Sequence, residues 1–174
     1  MDRALACQTC HYHMTLDDGG LSLIDVKYGQ SATRLNRLKS WEPVWVFYGK
    51  VTMSSRKARK KDSRAALTSE TLWGKKRHLF IPAGEIDFHT LREEGMRLLD
   101  NQPPLRELEE MNHAKLGMMS PAILSAADAE EMLDFLVLGL EAKRPDILRS
   151  IDFSIEIDSF SLWALPYDGN RFLI

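Results

Sequence analysis

The chain has 174 residues, enough for one domain that buries its own core without disulfides or metal ions as staples. Its 44% hydrophobic and 28% charged residues are typical of a soluble globular protein. The formal net charge of -2 argues against a general binder of polyanions, and no apolar run approaches the ~20 residues that a membrane-spanning helix needs.

Hydrophobic patterning predicts an α+β fold, in which a mixed or antiparallel sheet is packed by about three helices. Strands are predicted near 21–28, 43–53, 78–82 and 152–165, and helices near 88–100, 105–116 and 125–143. We expect residues 1–20 to form an N-terminal tip that carries a CxxC motif, and residues 21–174 to form a single domain.

Two local patterns in the second half of the chain give sharper predictions. Ser125 is placed to cap the last helix, with Asp128 three residues on, where the helix dipole favours a carboxylate. In the last strand, apolar residues occupy odd positions from 153 to 157 and even positions from 160 to 162. Because side chains alternate between the two faces of a strand, this slip predicts a bulge or turn at Asp158-Ser159.

The segment from Ser54 to Arg64 carries six basic residues against one acidic residue, a local charge of +5. We interpret it as a solvated loop or a hairpin tip. Binding of phosphates or of an acidic partner is the alternative, although the acidic overall balance argues against nucleic acid. The basic residues at its centre are Arg56, Lys57, Arg59, Lys60 and Lys61.

Both cysteines of the chain lie in the stretch Cys7-Gln8-Thr9-Cys10-His11-Tyr12-His13-Met14. Two thiols separated by two residues can close on one metal ion. In a reducing compartment this spacing favours metal or redox chemistry over a structural disulfide, and the first ten residues show no signal-peptide core, so we expect a cytoplasmic protein.

The pattern CxxCx(Y/H)HM in residues 7–14 resembles the second zinc-ribbon knuckle of the carboxyltransferase beta subunit of bacterial acetyl-CoA carboxylase. The resemblance implies only that Cys7 and Cys10 are thiolate ligands of zinc, because nothing later in the chain looks like that enzyme. A ribbon needs a second CxxC, which this chain lacks. Completing a tetrahedral site would require His13 or His11 together with a group from elsewhere, with His78, His89 and His113 as candidates. A vestigial site is the alternative.

The same residues fit two further interpretations. Cys7-x-x-Cys10-His11 satisfies the attachment pattern of c-type haem, with two thioether positions and His11 as the proximal ligand, and would require a periplasmic or other extracytoplasmic location. A thioredoxin-like pair would need a helix after the motif, and the turn at 17–20 leaves no room for one. Two reduced cysteines without a ligand remain the simplest alternative.

Other functional signals are weaker. Glu110 and His113 have the Glu-x-x-His spacing of di-iron bundles, but the unit occurs once, which favours a polar surface pair. The phosphate-loop, dinucleotide, serine-hydrolase and HExxH motifs are absent. The sequence therefore predicts a non-enzymatic zinc-binding accessory or adaptor protein that acts on an unidentified protein partner. A haem electron carrier is the first alternative, and a small enzyme with a dispersed site is the second.

Overall fold

The computed structural model of the chain describes residues 3–6, 13–17, 20–31, 38–108 and 118–174. Within these ranges the chain forms two sheets and three helices. The strands are β1 (Arg3–Ala6), β2 (His13–Asp17), β3 (Gly20–Leu23), β4 (Val26–Tyr28), β5 (Ser40–Ala58), β6 (Arg77–Pro82) and β7 (Leu148–Tyr167), and the helices are α1 (Ser63–Trp73), α2 (Phe88–Asn101) and α3 (Ala126–Ala142). The predicted α+β fold with a mixed sheet and about three helices is confirmed.

The larger sheet has the strand order β4-β7-β5-β6. Strand β5 pairs antiparallel with β6 on one side and with β7 on the other, whereas β4 runs parallel to β7. Strand β6 reaches only as far as Gly49 of β5, so beyond that residue β5 and β7 continue together as a two-stranded ribbon. The smaller sheet contains β1, β2 and β3 in antiparallel order.

The larger sheet is covered on both faces, which explains why the centre of β5 is apolar without interruption. On one face, side chains of β5 and β6 pack against α3 in a cluster that includes Trp45, Phe47, Leu79, Leu133 and Leu136. On the other face, the C-terminal segment closes a second cluster that includes Val44, Val46, Phe80, Trp163 and Phe172. Helix α2 packs against the edge strand β6 and contributes to both clusters, with Leu99 in the first and Leu98 in the second.

The predicted cap of α3 is confirmed. The Ser125 hydroxyl accepts a hydrogen bond from the backbone N–H of Asp128 at 3.0 Å, and the Asp128 carboxylate lies 3.4 Å from the backbone nitrogen of Ser125. Each residue therefore satisfies a backbone donor that the first turn of a helix leaves without a partner.

The predicted irregularity in the last strand is also confirmed, as a bulge. Tyr48 pairs with Ser159 while Gly49 pairs with Ile157, so Asp158 is the extra residue of β7. Gly49 sits where the backbones approach closely, because a Cβ there would lie 2.2 Å from the carbonyl oxygen of Glu156. The bulge shifts the apolar side chains of β7 from odd to even positions, as the sequence pattern indicated.

The prediction of a loop or hairpin tip at 54–64 is wrong for most of that segment. Strand β5 continues through Ala58, and α1 begins at Ser63, capped by the Asp62 carboxylate, which accepts from the N–H groups of Arg64 and Ala65. Helix α1 was not predicted. Its buried residues at 65, 69, 72 and 73 repeat at helical spacing, but two of them are small and weakly apolar.

Two other boundaries differ from prediction. The strand predicted near 21–28 is two strands, β3 and β4, which belong to different sheets. The helix predicted at 105–116 is wrong for residues 105–108, which form no helix. Here the backbone N–H of Leu108 donates to the carbonyl oxygen of Tyr28 in β4, and the carbonyl oxygen of Arg106 accepts from the N–H of Gln30. Residues 109–116 of that prediction lie outside the described residues. The division into a tip of residues 1–20 and a domain of residues 21–174 stays a prediction.

Candidate functional site

The CxxC motif lies between two paired strands. Ala6, at the end of β1, is directly opposite His13, at the start of β2. Opposed residues of an antiparallel pair have Cα atoms about 4.5–5.5 Å apart. Cys7 follows Ala6 in the chain, and the predicted ligands Cys7, Cys10 and His11 lie outside the described residues. The described strands therefore bring His13 close to the residue that precedes the first cysteine.

His13 also contacts the larger sheet. Its Nε2 lies 3.4 Å from the phenol oxygen of Tyr28 in β4, and the two rings are 6.0 Å apart. Tyr28 is buried and packs edge-on against Trp41, with ring centroids 5.2 Å apart. Burial raises the pKa of the Tyr28 phenol above its ordinary value, which keeps it protonated. Through this contact, the start of β2 is fixed to the edge of the main sheet.

The structure does not bring the other described histidines to His13. His78 lies on β6, at the opposite edge of the sheet from Tyr28, and three strand spacings of ~4.8 Å separate the two edges by roughly 14 Å. His89 is exposed on α2, which packs against β6, and His113 lies outside the described residues. Within the described part of the chain, no group of three or more His, Cys, Asp or Glu side chains could hold a metal ion.

A second candidate site is a cleft of about 680 Å³ beside β6, between the end of α1 and the C-terminal end of α2. Its apolar wall includes Tyr48, Leu67 and Leu72. Tyr48 and His78 are opposite each other on β5 and β6, with their rings 5.5 Å apart. Burial lowers the pKa of the His78 imidazole below its ordinary value, which favours the neutral form of the ring.

The cleft is also lined by polar residues, of which the charged ones are Lys75, Lys76, Arg77 and Asp100. Lys76 forms an ion pair with Asp158, the bulged residue of β7, at 2.8 Å. Arg77 is 9% exposed, and its Nη2 donates to the carbonyl oxygen of Thr71 near the end of α1 at 3.1 Å. This cleft was not predicted from the sequence, because its residues come from four separate elements. The basic run at 75–77 was the one local signal.

The basic segment that the sequence analysis singled out does not act as one surface. Arg56 is held by Asp146 and Glu141, with its Nε 2.7 Å from the Glu141 carboxylate. Lys57, Arg59, Lys60 and Lys61 are exposed. Arg56 is therefore engaged in ion pairs within the protein, and four of the five basic residues remain exposed.

Of the ligands predicted in the N-terminal motif, His13 is the one within the described residues. No family model, curated protein or solved structure matches this chain. No helix within the described ranges is long and apolar enough to cross a membrane.

Proposed function

We propose that this protein is a non-enzymatic zinc-binding accessory or adaptor protein, with Cys7, Cys10 and His13 as ligands. The pairing of Ala6 with His13 is the observation that carries the proposal. It puts an imidazole across the ladder from the backbone that leads into the first cysteine. Two thiolates and one imidazole are three ligands of a Cys₂His-type zinc site, and His11 or a group from another part of the chain would supply the fourth.

The contact with Tyr28 supports His13 as the imidazole ligand. A histidine that binds zinc uses the lone pair of one ring nitrogen, and its other N–H is normally held by a nearby acceptor. The Tyr28 phenol oxygen lies 3.4 Å from Nε2, which favours Nδ1 as the coordinating atom. Zinc bound in this way would connect the N-terminal strands to β4, and the body of the protein would present a surface to its partner.

Metal analysis of the native protein and of single variants tests the proposal. We expect about one zinc per chain. Cys7→Ser and Cys10→Ser should each abolish stoichiometric zinc. His13→Ala should weaken zinc binding more than His11→Ala, because His13 lies three residues beyond Cys10 and can fold back onto the metal. His89→Ala is the matched control, since His89 is exposed on α2, and it should retain full zinc.

The result that overturns the proposal is protein without metal whose stability is unchanged in both cysteine variants. The fold should survive loss of the metal, because the described buried residues of the two core clusters of the larger sheet all lie at or after Val26. A covalently attached chromophore with a Soret band, in protein from the native host, would assign the motif to haem c with His11 as proximal ligand. The zinc proposal assumes a cytoplasmic protein, whereas covalent haem would indicate an extracytoplasmic location.

A further inference from the structure

Arg77 is a buried arginine for which no described carboxylate is a partner. Its Nη2 donates one hydrogen bond to the Thr71 carbonyl oxygen, and its Nε is buried without any described partner. Burial lowers the pKa of this guanidinium, and no carboxylate among the described residues counteracts the shift. Buried charges in proteins are normally paired, because an unpaired charge loses its hydration without compensation. A guanidinium in this state at the wall of an open cleft is therefore suited to an anion from solution.

The other charges around the cleft define which anion fits. Lys75, Lys76 and Arg77 line the cleft against the carboxylates of Asp100 and of Asp158, the partner of Lys76, so about one positive charge remains. Asp100 also lies 3.9 Å from Arg144, which is itself paired with Glu141. The carbonyl ends of α1 and α2 also border the cleft and contribute negative partial charge. This single positive charge would neutralise only part of the charge of a dianion such as a phosphate monoester. A single carboxylate matches both the charge and the flat, two-pronged shape of a guanidinium.

The apolar side of the cleft indicates what the carboxylate is attached to. Leu67 is 63% exposed and Tyr48 is 40% exposed, and both line the cleft together with the His78 ring. Large apolar side chains left in solvent beside a cavity are typical of ligand sites. The volume of about 680 Å³ lies within the range of roughly 300–1,000 Å³ that is usual for sites that hold small organic molecules.

We propose that this cleft binds a small organic monocarboxylate, with its carboxylate group on Arg77 and its apolar or aromatic body against Tyr48 and Leu67. None of the described residues that line the cleft belongs to the CxxC motif, and the proposal does not require zinc. It would make the protein a binder of amphipathic monoanions, whether or not the N-terminal motif holds a metal.

The test uses 2-naphthoate as the probe, with 2-naphthamide as its neutral analogue and acetate as its ring-free analogue. Titrations of the full chain are followed by calorimetry and by the NMR signals of the Tyr48 and His78 rings. We expect 2-naphthoate to bind saturably and at least about tenfold more tightly than either analogue, because only it offers both a charged acceptor and a ring. Equal binding of the amide, or no saturable binding of the naphthoate, overturns the proposal.

Variants locate the binding. Arg77→Met should weaken 2-naphthoate at least about tenfold, whereas Lys61→Ala, which removes an exposed lysine outside the cleft, should leave the affinity unchanged. If Arg77→Met fails to fold, Leu67→Asp adds a negative charge at an exposed position on the same wall, and it should weaken binding about fivefold or more. Equal losses in Lys61→Ala and the cleft variants would contradict a specific site. Unchanged affinity for 2-naphthoate in Arg77→Met or in Leu67→Asp would also contradict the proposed site.

Discussion

Two arginines of this chain, the half-buried Arg56 and the buried Arg77, differ in what surrounds them. Arg56 donates from both Nη atoms to Asp146 and from Nε to Glu141. Arg77 donates from Nη2 to one backbone carbonyl and has no carboxylate partner within the described residues. Hydrogen bonds that Arg56 donates to Asp146 raise the pKa of Arg56, whereas burial lowers the pKa of Arg77. The same side chain is thus fully compensated in one place and uncompensated in the other.

The surroundings explain the difference. Glu141, at the end of α3, accepts hydrogen bonds from Arg56 of β5, from the indole of Trp73 in α1 and from Arg144. The pairs therefore join the ribbon, α1 and α3, and the two carboxylates are buried. Arg77 lies at the wall of an open cleft, where a ligand can reach it. Complete pairing indicates a structural role for Arg56, and incomplete pairing beside a cleft indicates a binding role for Arg77.

The strongest test of this comparison is Arg56→Ala. It would leave the Asp146 and Glu141 carboxylates buried without their main partner, and breaking a buried pair in this way costs about 3–5 kcal/mol. Urea unfolding should show a large drop in midpoint. Lys57→Ala, at the exposed neighbouring position in β5, is the control and should stay within about 0.5 kcal/mol of the wild type. A loss at Arg56 no larger than that at Lys57 would remove the distinction between the two arginines.

A second, smaller effect is a dependence of stability on pH that comes from the Arg56 network. The hydrogen bond from Arg56 lowers the pKa of Asp146. For Glu141, burial acts to raise the pKa, but hydrogen bonds from Arg144, Trp73 and Arg56 outweigh it, and the net shift is downward. A carboxylate whose pKa is lower in the folded state contributes stability above its unfolded pKa of about 4, and that contribution is lost as the pH falls through the folded value.

We therefore expect the free energy of unfolding to decrease as the pH is lowered from about 5 to about 3. Asp146→Asn removes one titrating group, so its stability should fall less steeply over the same interval, although the variant is less stable at pH 7. Urea unfolding at several pH values measures both slopes. Parallel curves for the wild type and Asp146→Asn would show that the network does not govern the acid response.

The features that the sequence predicted correctly depend on local rules. The cap of α3 follows from Ser125 and Asp128 alone, and the bulge at Asp158 follows from a change in the phase of apolar residues within one strand. The apolar run at 43–53 became the centre of β5 because both of its faces are covered. Each of these predictions required no knowledge of what lies opposite the segment.

The features that were missed depend on tertiary contacts. Helix α1 presents Ala65 and Ser69 to the core, and such small side chains give little hydrophobic periodicity. In the sequence, Arg56 is one of several charges in a basic run. Its partners Glu141 and Asp146 lie about 90 residues later, and only the folded chain brings them into contact with it. The cleft at Arg77 has the same origin, since its two walls and its charges come from elements distant in sequence.

The smallest expected effect concerns Asp158, which the bulge leaves without a partner in the β5–β7 ladder. Its carboxylate pairs with Lys76 at the cleft, and both side chains are about half exposed. If the cleft binds monocarboxylates, Asp158→Asn should free Lys76 and raise the affinity for 2-naphthoate about two- to threefold at low salt, since exposed charges interact weakly. The gain should disappear at high salt, where such charges are screened.

Asp152→Asn is the matched control. Asp152 is an exposed aspartate on the same strand, and its carboxylate accepts a hydrogen bond from the Ser55 hydroxyl in the distant ribbon. A loss of affinity in Asp158→Asn, or an equal gain in Asp152→Asn, would mean that the charge balance of the cleft does not control its choice of anion.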